Sequence, residues 1–399
     1  MTGQPSSSRI PFAIWSLTFC AFAIGTTEFV LVGLLPAIAK DLAISISSTG
    51  TLVTLYALGV AFGGPVFTAL TGRTGHKKIL LLTLAVFITG NTIAFFANTI
   101  LLLQISRVIT GTTHGVFFGY AVVIAGNMAP QNRRATAIAI VFAGLMISTV
   151  VGVPLGTYIG SHYGWKMTFL AIIIWGSAAM IVLGLSLPKQ SGPTAALKLN
   201  DLPKVLKNEA VWIVLMANIF AYTGTFVLLT FLSPVLENMT GFSPGAINYI
   251  LLVLGIGVAL GNIVGGHISN HRPSTVLVFL FLFHAITLFI LSLVITSQSI
   301  IIVALLLFGF FAYSNVPALQ LLTVKFSENK FPGSGGIASA LSVSAFNIGA
   351  AAGSFIGGVV AGSSPGLKAT PWIGGIFVIV AWGFSLWNWN RNKTMEGNR

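Results

Sequence analysis

Charge is what this chain of 399 residues has least of: 7% of it is Asp, Glu, Lys or Arg, against roughly 25% in a soluble domain. That excludes a soluble globular protein. Acids are scarcer still, 7 against 20 basic residues, and one cysteine, Cys20, excludes a disulfide framework or a thiol metal site. No Gly-x-x-x-x-Gly-Lys-Ser/Thr loop is present for nucleotide hydrolysis, and no His-x-x-Glu-His or paired aspartates for the acid–base or metal chemistry of a membrane enzyme. No cofactor is therefore expected.

What fills the chain instead is apolar: 55% of residues are hydrophobic and the mean hydropathy is +0.94. Runs of about 20 residues, enough to cross a core of about 30 Å, recur along the whole length. Twelve are expected, at 11–38, 47–70, 79–97, 100–128, 135–161, 166–187, 209–236, 244–269, 274–296, 299–323, 334–361 and 370–390. They are helices, because a chain in lipid must satisfy its backbone internally and the runs do not alternate as barrel strands do. The first reads as a span rather than a signal peptide: it is too long and has no small-residue cleavage site. The fold class expected is an all-α integral membrane protein.

The basic residues are asymmetric along this pattern. With the N-terminus inside, sixteen fall on the cytoplasmic side, and only Lys40, Lys166 and Lys368 fall outside. By the positive-inside rule both termini are cytoplasmic, and a nucleic-acid surface is not needed to explain the net charge of +13. The twentieth basic residue, Arg107, is intramembrane.

Sliding the chain against itself by 198 residues pairs Pro36 with Pro234, Ser45 with Ser243, Gly59 with Gly257 and Gly63 with Gly261. After a one-residue adjustment Gly152, Gly156 and Gly160 pair with Gly349, Gly353 and Gly357. The expected organisation is a six-helix bundle over 1–187, a cytoplasmic linker over 188–208 rich in Pro, Gly and Lys, and a second six-helix bundle over 209–399. Parallel six-span repeats are a transporter architecture, with a substrate site near the midplane between them.

Three motifs carry a resemblance to a family. The segment Thr68-Ala-Leu-Thr-Gly72-Arg73-Thr-Gly75-His76-Lys77-Lys78 is similar to the loop signature of the major facilitator superfamily, with Gly72 where an aspartate is usual. Arg107-Val-Ile-Thr-Gly111-Thr-Thr-His114 resembles that superfamily's fourth-span motif, and Gly144 through Gly152-Val-Pro154-Leu-Gly156 its exporter-associated fifth-span motif. With Thr-Thr-Glu28-Phe and Gly164-Trp165-Lys166, the chain resembles the twelve-span drug:proton antiporters, in the branch that includes AraJ-type and sugar-efflux proteins. The resemblance implies a monomer in a bacterial plasma (inner) membrane, gated around Arg73, Gly75, Lys77, Gly152, Pro154 and Gly156. Losing the loop aspartate puts one gating contact in doubt.

Glu28 is the one carboxylate inside a membrane-length apolar stretch. Such a group costs several kcal/mol unless paired, solvated or protonated, so it marks function by default. By rise per residue it lies about 15 Å from the outer end of its span, between Arg107 at about 10 Å and His114 at about 21 Å. Gln104, Arg107, Gly111 and His114 share one helical face. A Glu28 to Arg107 contact is therefore expected to be possible, with burial disfavouring the charged carboxylate and a guanidinium favouring it. His114 is either a relay partner or a packing residue. His284 is expected to pack on the scaffold side, and His267 and His271 at a loop or gate. Candidate substrate contacts at mid-depth are Phe29, Tyr56, Phe117, Met146, Asn218, Tyr222, Tyr313, Asn315 and Asn347, each of which has an alternative reading as interhelical glue. At the 198-residue offset Glu28 maps to Phe226, so proton handling is expected in the first half alone.

The function expected is proton-coupled export of a small organic molecule, drug-like or sugar-like, by alternating access. An uptake symporter of the same fold is the main alternative. A polytopic enzyme and a passive channel are remoter ones, the latter leaving Glu28 and the duplication without a role.

Overall fold

The computed structural model describes residues 11–64, 66–67, 75–129, 134–188, 202–269, 272–332 and 334–397. Twelve helices are long and apolar enough to cross a membrane. No strand occurs among the described residues. The spans, numbered one to twelve, are Phe12–Phe29, Ile46–Gly63, His76–Phe95, Ile100–Met128, Ala137–Tyr163, Trp165–Ser186, Glu209–Asn238, Pro244–Ser269, Pro273–Val294, Gln298–Lys330, Gly335–Ala361 and Gly366–Arg391.

Packing follows the sequence repeat. In the first bundle span one packs on five and six, three on four and six, and two on four. In the second, seven packs on eleven and twelve, nine on ten and twelve, and eight on ten. These are the same pairings moved on by six spans. Between the bundles, span two lies along eleven and span five along eight, and a two-fold relation exchanges those two contacts. The matched glycines explain the close approach inside each bundle. A methyl group on Gly144 would run into the Thr18 carbonyl of span one, and one on Gly349 into the Ile219 carbonyl of span seven. Small residues facing a helix backbone let two helices come this near. Gly144, Gly152, Gly156 and Gly160, and Gly349, Gly353 and Gly357, thus seat each span within its own bundle, while Gly358 lies against the Ser47 carbonyl of span two in the other bundle.

Several spans depart from the unbroken helices expected. Span one is helical over Phe12–Phe29, turns at Val30, and continues as Leu31–Asp41. Span seven breaks at Thr230 and Phe231, and Pro234, which has no N–H, cannot bond the Thr230 carbonyl four residues back. Span ten breaks at Asn315, just before Pro317 in the first turn of its second segment. Spans two and five each contain a π-helical turn, Gly59–Gly63 and Ser148–Gly152. The second lies directly before Pro154, whose ring would clash with a regular α-helical turn behind it. Composition shows none of these breaks, since the residues around them are equally apolar.

The expected linker lies largely outside the described residues; its described end holds a short helix, Leu202–Leu206, with Val205 buried against Leu215 and Ile337. Arg73 and His271 also lie outside them.

Candidate functional site: a buried carboxyl cluster beside the bundle interface

Glu28 lies in the last turn of the first segment of span one, two residues before the turn at Val30. It is 9% exposed and is the only buried Asp or Glu among the described residues. His114 faces it, with Nδ1 3.6 Å from Oε2, an ion pair only when the imidazole is protonated and the carboxyl is not. The same Nδ1 lies 2.9 Å from the Tyr56 hydroxyl. One ring nitrogen thus stands between a carboxyl and a phenol, and it can either carry a proton toward one or accept a proton from the other.

Arg107, which the sequence allows as a partner of Glu28, is bonded elsewhere. Arg107, 1% exposed, donates from Nη1 to the Thr27 carbonyl at 2.9 Å and from Nε to the Leu52 carbonyl at 3.2 Å. Its guanidinium carbon lies 4.1 Å from the centre of the Tyr56 ring. The physical reason is the helix break. Thr27 sits in the turn where span one stops, and a helix end leaves carbonyls free that carry partial negative charge, which a cation satisfies well. Arg107 therefore ties spans one, two and four together from the residue next to Glu28. Its Nη2 has no partner among the described residues.

The common face of span four lies on span two as well as span one. Gln104 donates to Thr51 at 2.9 Å, Arg107 reaches Leu52, Gly111 lies against the Tyr56 carbonyl, and His114 meets the Tyr56 hydroxyl. Any side chain at Gly111 would push span two away and carry Tyr56 with it. Tyr56, expected among the substrate contacts, belongs to this polar cluster. The mid-depth of Tyr56 was visible in the sequence, but not which neighbour the hydroxyl takes.

Other expected contacts divide. Phe29 and Tyr313, with ring centres 6.5 Å apart, line a cavity of about 40 Å³ between the bundles, together with Thr149, Gly255 and Phe308. That is room for a water or so, not for an organic molecule. Tyr222 donates to Asn315 Oδ1 at 3.0 Å and to the Ala312 carbonyl at 3.2 Å, across the break in span ten. Asn218 donates to the Ser342 carbonyl at 2.9 Å and Asn347 to the Val343 carbonyl at 3.0 Å. Phe117 is fully buried against Phe118 within the first bundle, away from the cavity lining. Met146 is half-buried one turn before the π-helical turn. Gly152 packs on Thr26, and Gly156 on Val30 and Thr168. Gly75 caps the start of span three, and Lys77 donates to the Leu187 carbonyl at the end of span six at 2.6 Å. His284 is buried in span nine beside Phe308, as expected of a scaffold residue, and His267 is exposed.

A pair of anchors went unforeseen. Trp165 donates to Asp41 at 2.9 Å and Lys166 to Asn98 at 2.7 Å. They fasten spans one and six, and the turn between three and four, at the end of the bundle away from the termini. Gly164 allows that turn with φ of 90°, a backbone region glycine alone enters freely. The run Gly164-Trp165-Lys166 signalled a motif without signalling these partners.

A sequence profile of the Major Facilitator Superfamily matches residues 17–335. The chain is 42% identical over 386 residues to an uncharacterized MFS-type transporter of Bacillus subtilis, YtbD, covering 97% of this chain and 96% of that protein. It is 30% identical over 351 residues to the putative transporter AraJ of Escherichia coli, covering 87% of each. Its fold is similar to the crystal structure of a D-xylose-proton symporter, with a TM-score of 0.74 at 17% identity over 94% of this chain and 97% of that one. With twelve spans in two matching bundles and relatives that run its full length, the chain belongs to the Major Facilitator Superfamily and is a multi-pass membrane transporter rather than an enzyme.

Proposed function

We propose that this transporter is a proton-coupled exporter of a small organic molecule, with Glu28 as the residue that binds and releases the proton. The observation that carries the reading is the solitude of Glu28: one buried carboxyl among the described residues, held by a histidine on one side, with an unpartnered Arg107 nitrogen in the same cluster. A protonated Glu28 is neutral and stays with His114. On losing its proton it becomes a buried anion that needs a donor or a cation, and Arg107 Nη2 is the uncommitted donor of the cluster. Changing partner would move Glu28 relative to the turn at Val30, and with it the second segment of span one, whose Val32 lines the cavity between the bundles. Ligand binding between the bundles, where they part to widen that cavity, and proton release at Glu28 would then be linked, each altering the other's free energy equally.

The direction of transport rests on the exporter-associated fifth-span motif. Cytoplasmic termini rest on the charge asymmetry. The division into bundles at 1–187 and 209–399, with the linker between, rests on the repeat and the matching packing. Phe29 and Tyr313 are the proposed walls of the substrate pocket; Gly152 and Pro154 are proposed to support the bend of span five that faces it.

The test uses inside-out vesicles with an acid interior. A transported compound should dissipate the pH gradient and accumulate inside in wild type. Glu28→Gln should stop both while the protein still folds and inserts. Full uphill accumulation by the variant sinks the proton reading, and driven movement of the compound out of the vesicles, together with protons, would assign uptake instead.

A further inference from the structure

We infer that the second bundle carries a subsite for hydrogen-bond donors, so that the ligand is a neutral or cationic organic molecule with N–H or O–H groups and not an organic anion. The inference rests on the transport reading above and adds the class of compound.

Two buried amides carry it. Asn218 in span seven and Asn347 in span eleven are 2% and 3% exposed. Each gives its Nδ2 to a backbone carbonyl, Ser342 and Val343 respectively. A carbonyl only accepts, so the orientation of both amides is fixed and the atom left over in each is the acceptor Oδ1. Neither Oδ1 has a donor among the described residues. Buried polar atoms without partners are rare, and each asks for an explanation. Of the donors nearby, Tyr222 goes to Asn315 and Ala312, Asn315 Nδ2 goes to the Phe311 and Ala312 carbonyls, and the Ser342 hydroxyl accepts from Asn218 Nδ2 at 3.3 Å.

Position ties these acceptors to the interface. Tyr313 lines the cavity between the bundles and lies 6.1 Å from Tyr222. Tyr222 is one turn from Asn218, and its ring centre lies 4.1 Å from that of Phe346, the neighbour of Asn347. Span eleven also faces the first bundle here, where Ser344 donates to the Ala61 carbonyl at 3.2 Å and Thr54 to the Ala351 carbonyl at 3.3 Å. Neither amide lines the cavity as it stands; a ligand that parts the bundles at Tyr313 would reach the two acceptor oxygens behind this aromatic wall. In the second bundle it would meet no buried cation, because Arg107, the only buried Lys or Arg among the described residues, lies in the first bundle. An anion therefore loses its hydration with nothing to replace it.

The experiment compares matched aromatic compounds on the purified full-length protein: a primary amine with its quaternary trimethylammonium, an alcohol with its methyl ether, and the corresponding carboxylate. Binding is read as a shift in melting temperature and by competition, with no gradient present. The amine and alcohol should bind about tenfold more tightly than their donor-free counterparts, the effect of about one hydrogen bond, and the carboxylate should not bind. Asn347→Leu and Asn218→Leu should each erase the difference, while the melting temperature without ligand holds or rises because an unpaired acceptor is gone. Equal binding of the donor-free compounds, preference for the carboxylate, or a lowered melting temperature with discrimination intact would each overturn the inference. Glu28→Gln should keep the discrimination. If it does and still drives uphill transport, the proton reading fails and the subsite stands; if discrimination is absent while Glu28→Gln stops transport, the reverse holds.

Discussion

Arg107 and Glu28 lie in one cluster and do different work. Arg107 holds three spans by charge-assisted hydrogen bonds to carbonyls of spans one and two, each worth about 1.5–3 kcal/mol. Arg107→Ala should destabilise the protein by about 3 kcal/mol or more, seen as a lowered melting temperature in detergent. Arg107→Lys should recover only part, since a lysine offers one point charge where the guanidinium fork reaches two carbonyls. Glu28→Gln, nearly isosteric and neutral, should leave the melting temperature close to wild type. An Arg107→Ala protein as stable as Glu28→Gln would count against the clamp. That Glu28 is an anomaly was legible in the sequence from its cost in an apolar run. Which groups it touches was not, because Arg107 and His114 share one face and lie at similar distances on either side of its depth, and the choice between them is made by a helix break at Val30 that no residue type announces.

At the scale of elements, the repeated glycines of spans five and eleven set how closely each bundle packs. Gly144 and Gly349 face carbonyl oxygens of spans one and seven, and backbone yields less readily than a side-chain tip. Gly144→Ala and Gly349→Ala should each cost about 1–3 kcal/mol, the usual price of overpacking, because each methyl would press on a carbonyl of the neighbouring span. A melting temperature unchanged in either variant would contradict the tight contact. Gly184→Ala makes a control, since a methyl there meets only the tip of Leu81 at ordinary contact distance. The 197-residue match shows where the glycines of spans five and eleven recur, but not which helix each one faces. Periodicity shows that two helices approach, and only the partner's position shows that the approach is within a bundle rather than between bundles. The π-helical turns were likewise invisible, although Pro154 marked the place where a regular helix had to yield.

For the whole molecule, the twelve spans and their duplication were the most legible level, because membrane length and hydropathy constrain them strongly. The conformational state was not legible, because both states of a rocking pair share one sequence. Here the bundles meet at the end away from the termini, where Asn248 of span eight donates to Ser161 of span five at 3.4 Å and Ser47 of span two bonds the Gly358 carbonyl of span eleven. Cysteines at Ser161 and Asn248, in a background where the lone Cys20 is replaced, should cross-link on oxidation and stop transport reversibly; continued transport by the cross-linked protein would rule out rocking about this contact. The central claim, that one carboxyl in one bundle carries the proton, can be tested without knowing the substrate. Infrared difference spectra of the reconstituted protein across a pH titration should show one buried carboxyl gaining and losing its proton in wild type and none in Glu28→Gln; the same band in both, or no such band in wild type, would contradict it.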